Sequence, residues 1–129
     1  MTTVKELFYY LNVDKHTATR LFESLSSGIR LDAYRLLVRY GREGLVAGQI
    51  ATTLDVSPAN LSFHLKAMTH VGLVSVEQEG RFQRYRANLA LMFELVAYLT
   101  AECCAAQPGP CTEPQDALCC AEGTPPAAR

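Results

Sequence analysis

Residues 57–71, SPANLSFHLKAMTHV, decide how this chain folds. Ser57 is a good helix N-cap, because its hydroxyl can accept from an amide of the first turn that has no partner inside the helix. Pro58 falls at the first helical position, where its missing N–H costs nothing and its fixed φ suits the helix. Leu61, Leu65 and Met68, with Val71 next, recur at three and four residues and define one apolar stripe. Gly72 supplies the stop. The other face carries Asn60, Ser62, Phe63, His64, Lys66 and Thr69. Apart from Phe63 these are hydrogen-bonding or cationic side chains, of the kinds that reach base edges and phosphates. The stretch therefore reads as a DNA-reading helix.

Upstream, Leu45 to Leu54 reads as a shorter helix, joined to the first by Asp55–Val56. A short helix, a tight turn and a longer capped helix make a helix-turn-helix. Gln49 and Thr53 on the first helix are placed for backbone phosphates, as that helix is in the motif. Further back, helices are predicted over residues 4–11, over His16 to Leu25 and over Ile29 to Tyr40; the last has Ile29, Ala33, Leu36, Leu37 and Tyr40 as its buried stripe. Downstream of Gly72 the period changes to two. Leu73 to Gln78 and Arg81 to Arg86 alternate as strands about a Glu79–Gly80 turn. A hairpin directly after a recognition helix is a wing, and Arg81, Arg84 and Arg86 give it charge suited to phosphate or minor-groove contact. Leu89 to Glu102 returns to helical period and is apolar around most of its circumference, which predicts burial against a second subunit.

The fold class expected is mainly α with a β-hairpin wing: a winged helix-turn-helix, dimeric through its terminal helices. Residues 1–104 form the DNA-binding and dimerisation domain. Residues 105–129, rich in Ala, Pro, Gly and Thr, form a flexible cysteine-containing tail. Net charge is −1 over 129 residues, but the distribution is uneven. Residues 1–100 hold 11 Lys/Arg against 9 Asp/Glu, net +2, and residues 101–129 hold 1 against 4, net −3. The N-terminal residues lack the apolar core and cleavage site of a signal peptide, and no run reaches membrane-spanning length, so a cytoplasmic location with cysteines as thiols is expected. No Ser/His/Asp arrangement, paired-acid site or phosphate loop is present, which argues against an enzyme.

This order of elements resembles the ArsR/SmtB family of metal-responsive bacterial repressors. The matching segments are Leu25 to Leu37, Gln49 to Leu54, Ser57 to Leu65 with His64-Leu65-Lys66, Val71-Gly72-Leu73-Val74, and Gly80-Arg81 through Tyr85. The resemblance implies a homodimer on double-stranded operator DNA that leaves it when an inducer binds. On it, the DNA-contacting set is Gln49, Ser57, Asn60, Ser62, Phe63, His64, Lys66, Arg81 and Arg84. Two of the family's metal sites are missing. Leu45 to Gln49 has no Cys-x-Cys, and Leu89 to Glu102 offers only Glu94 and Glu102, without histidine.

All 5 cysteines lie within residues 103–129: Cys103, Cys104, Cys111, Cys119 and Cys120. Vicinal thiols followed by a third, with Pro108-Gly109-Pro110 favouring a turn between them, form a soft ligand set. Trivalent arsenic is a thiophilic acceptor of three sulfurs, whereas tetrahedral zinc wants a fourth ligand. The arrangement resembles family members that sense arsenite through a vicinal pair plus one more cysteine after the last helix. Cys103, Cys104 and Cys111 are thus the expected arsenite (As(III)) or antimonite site, and no organic cofactor is expected; Cys119 and Cys120 fall outside that pattern and are open to three readings, as auxiliary thiols, a second weak site or neither. Other readings stay open: a methylated arsenical on two thiols, zinc, thiol oxidation, an incidental cysteine-rich tail, or a winged helix that binds protein and not DNA.

Overall fold

The structure, a computed structural model, describes residues 13–106. The helix predicted at 4–11, and Cys111, Cys119 and Cys120, lie outside the described residues. Five helices and three strands follow in order: α1 Lys15–Leu25, α2 Gly28–Tyr40, β1 Leu45–Val46, α3 Ala47–Leu54, α4 Pro58–His70, β2 Val74–Glu79, β3 Phe82–Ala87 and α5 Leu89–Thr100. None of the described helices is long and apolar enough to cross a membrane.

Local chemistry sets the helix starts. Asp14, Ser27, Ser57 and Asn88 each cap a helix by accepting a backbone N–H of its first turn. That bond holds the Asp14 carboxyl below its usual range. The helices then converge on one core. Leu21, Leu37, Ile50, Leu61, Leu65, Met68 and Leu73 are its fully buried large side chains, drawn from α1, α2, α3, α4 and the residue before β2. The stripe of α4 is therefore buried as its spacing predicts.

Three expectations need correction. Leu45–Val46 is a strand and not the start of a helix; it pairs antiparallel with β3, Leu45 opposite Tyr85, giving sheet order β1-β3-β2. In α2, Tyr34 is buried and Tyr40 is exposed, so the stripe runs through Ala33, Tyr34, Leu36 and Leu37. The last helix ends at Thr100, and residues 101–106 form turns.

The wing is tied to the body at both ends. Gly44, at φ +61, brings the chain so close to β3 that a Cβ there would lie 2.2 Å from the Tyr85 carbonyl oxygen. At the other end Asn88 makes four bonds, one of them its carbonyl oxygen accepting from Met92 N (3.2 Å) inside α5. Its backbone N–H donates to Leu73 O (2.8 Å), its Nδ2 donates to Gly72 O (3.0 Å), and its Oδ1 accepts from Leu91 N (3.2 Å). One residue thus starts α5 and holds the exit of α4.

Candidate nucleic-acid interface

The helix-turn-helix closes on Asp55, which takes the left-handed conformation (φ 56, ψ 49) and lets its N–H and that of Val56 return to α3 carbonyls. Ser57 then opens α4, its Oγ accepting from Asn60 N at 3.2 Å. Along α4 the polar face stands clear of the core: Asn60, Ser62 and Lys66 are exposed, and Phe63 is 66% exposed. His64 is half-buried, with its Nδ1 3.0 Å from Arg30 Nη1 of α2, and its ring meets Phe63 edge-on at 5.4 Å. Burial, and then the Arg30 charge, hold the His64 imidazole below its usual range.

Gln49 is exposed on α3, but its Oε1 accepts from Val46 N at 3.0 Å and closes the start of that helix. Only its amide N–H groups remain for a phosphate.

The wing separates its arginines. Strand register puts Glu77, Glu79, Arg84 and Arg86 on one face of the hairpin. Arg84 pairs with Glu79 at 2.8 Å and donates to Glu43 O at 3.0 Å. Arg86 pairs with Glu77 at 2.7 Å and donates to Arg42 O at 2.6 Å. Arg81 sits in the two-residue loop between Glu79 and Phe82, exposed, its guanidinium 6.0 Å from the exposed Phe82 ring. The structure therefore brings Arg81 to the wing tip and commits Arg84 to the wing's own anchorage. Arg81→Ala is expected to lower the slope of log affinity against log salt by about 1 per protomer, the loss of one phosphate contact. Arg84→Ala is expected to change that slope little. Duplex titrations from low to high salt separate the two.

After α5, Cys103 N donates to Thr100 O (3.0 Å), and Cys104 takes φ +61. Both residues are exposed, with Sγ atoms 3.7 Å apart. Among the described residues no group of three or more His, Cys, Asp or Glu is arranged to hold a metal. Glu94 is 5% exposed on α5, and its Oε1 has no hydrogen-bond partner. On the same helix Phe93 is 64% and Leu99 58% exposed, with Val96 and Tyr98 also open.

Comparison with known proteins bears on this arrangement. Residues 25–77 match the model of a helix-turn-helix domain. None of the curated proteins matches the chain in sequence. Among solved structures, an ArsR-like transcriptional regulator from Rhodococcus sp. RHA1 is 25% identical, covering 85% of this chain and 95% of its own at TM-score 0.62. HlyU from Vibrio cholerae N16961 is 25% identical, covering 67% of this chain and 97% of its own at TM-score 0.54. The homodimeric winged helix-turn-helix DNA-binding domain Mb0332 of Mycobacterium bovis shares the fold at 23% identity, covering 84% and 95% at TM-score 0.54.

Fold, capped helix and matched motif together define a winged helix-turn-helix, the fold that these regulators share. Within that fold the chain is similar to ArsR-like regulators, at 25% identity to the Rhodococcus protein.

Proposed function

We propose that the chain represses an arsenic-resistance operon in the cytoplasm and leaves its operator when trivalent arsenic or antimony binds Cys103, Cys104 and Cys111. Two copies assemble through their terminal helices, covering Phe93, Val96, Tyr98 and Leu99 of α5, and present two α4 helices to half-sites one turn of duplex apart. α4 reads the major groove through Asn60, Ser62, Phe63, His64 and Lys66. Gln49 and the start of α4 at Ser57 touch backbone, and the wing adds Arg81.

The observation that carries the inducer assignment is the vicinal pair at the end of α5, its sulfurs 3.7 Å apart. Two ~2.3 Å metal–sulfur bonds meeting at a tetrahedral angle span about 3.8 Å, so one bridging atom fits with little adjustment. A set of sulfurs without nitrogen or oxygen donors favours a soft, thiophilic ion. Arsenic binding needs Cys103 reduced. It then ties the end of the dimer helix to the tail, and Asn88 passes any shift of α5 to the exit of α4. Operator and inducer weaken each other by the same factor.

A second reading is release by oxidation of the exposed vicinal cysteines, whose sulfurs lie 3.7 Å apart. The deciding experiment titrates the operator complex, under reductant, with arsenite, antimonite, methylarsenite and zinc, and in a parallel arm with peroxide. The proposal expects release by arsenite or antimonite at the lowest concentrations. Release by peroxide alone, or by zinc alone, would replace it. Absence of salt-dependent duplex binding would turn the chain into a protein-interaction module.

A further inference from the structure

Arg30 and His64 lie 34 residues apart in sequence and meet at 3.0 Å. Arg30 is itself fixed. Its Nε donates to Ser24 O at 2.5 Å and its backbone N–H to Ser27 Oγ at 3.4 Å, so the guanidinium is held at the corner between α1 and α2. A guanidinium has five donors and no acceptor. The Nδ1 it touches must therefore accept, and the single proton of the neutral imidazole is on Nε2. Among the described residues Nε2 has no hydrogen-bond partner. Next to it on α4, Phe63 keeps two thirds of its surface open, its ring centroid 5.4 Å from that of His64. An apolar ring that exposed, on the helix that faces a major groove, has one good partner there, the C5 methyl of thymine. An N–H donor beside it is met by the N7 or O6 acceptors of a purine and opposed by amino groups. The ring separation corresponds to one or two base-pair steps of ~3.4 Å.

We infer that Phe63 and His64 form a two-residue reader for a thymine and a nearby purine in each half-site, with Arg30 as the positioning residue that fixes the His64 tautomer. The inference rests on the DNA-binding reading above. It assigns a base preference to two side chains and a role in specificity to an arginine on another helix. Protonation of His64 would put an N–H at Nδ1 against the Arg30 guanidinium, the charged group that faces the ring from α2, so the reader is intact only while the imidazole is neutral.

The test has two arms, both on the full chain. In the first, a duplex selected from a random pool is remade with uracil for each thymine and with 7-deazapurine for each purine. One half-site thymine is expected to lose about fourfold in affinity without its methyl, and Phe63→Ser to abolish that difference. A purine one or two steps away is expected to lose about fivefold without N7, and His64→Ala to abolish that difference. In the second arm, long-range proton–nitrogen NMR of the free protein reads the His64 tautomer. It is expected to be Nε2–H at neutral pH in the parent and mixed in Arg30→Leu. Duplex binding that ignores both substitutions overturns the reader and leaves the DNA reading standing. A parent His64 protonated at neutral pH, or carrying its proton on Nδ1, overturns the role of Arg30 whether or not the variant folds. No duplex binding at all removes the DNA reading and this inference with it.

Discussion

A chain carrying Cys103→Ser is expected to bind operator as the parent does and to stay bound when arsenite is added. The side chain is exposed beyond the end of α5 and is not one of the core residues, so in the reduced protein folding stability should move by less than about 0.5 kcal/mol. On the proposed site, removing one of three sulfurs leaves trivalent arsenic with an incomplete ligand set. The parent should lose about 5- to 150-fold in operator affinity on saturation with arsenite, the usual span of a coupling between two sites. The variant's ratio should fall to about one. Fluorescence anisotropy of a labelled duplex under reductant reads both. Release of the variant at the parent's arsenite concentration would remove Cys103 from the site. Cys119→Ser and Cys120→Ser should release like the parent.

Gly44→Ala is expected to be the most destabilising single methyl in the described chain. Two costs add. The left-handed φ of +61 costs a residue with Cβ about 1–2 kcal/mol. The new methyl would also stand 2.2 Å from Tyr85 O and 2.7 Å from Arg86 Cγ, and relieving that overlap costs about 1–3 kcal/mol more. The contact is with backbone on one side, so it is relieved only by moving β1 away from β3. That would also pull the Arg42 and Glu43 carbonyls from Arg86 and Arg84. Urea unfolding should show the midpoint falling with m unchanged. An unaltered midpoint would mean that β1 is not held against β3 in solution.

Much of this was legible in the sequence because the rules involved are local. The cap at Ser57, Pro58 after it and the Leu61–Leu65–Met68 stripe each need only a few neighbouring residues, and α4 starts and buries itself as they predict. Period-two alternation likewise revealed β2 and β3. Strand β1 was not legible. Two apolar residues before a helix look like its first turn, and only pairing with Tyr85 and Arg84, forty residues on, makes them a strand. The ion pairs of Arg84 and Arg86 were not foreseen, although a signal was there. Glu77 and Glu79 alternate in step with Arg84 and Arg86, which places all four on one face once the turn is set. The Arg30–His64 contact and the burial of Glu94 had no such signal, since each depends on how distant helices pack.

Asn88 sets what lengths of chain this architecture tolerates. Because it grips Gly72 and Leu73 behind the hairpin and starts α5 in front of it, residues 74–87 leave and return to nearly one point. Extra residues inserted at Gly80–Arg81 would therefore lengthen the wing's reach along the duplex without altering the angle between α4 and α5. A single residue inserted between Ala87 and Asn88 would unhook that clamp. Wing length is free to be tuned to an operator, whereas the joint beneath it is not.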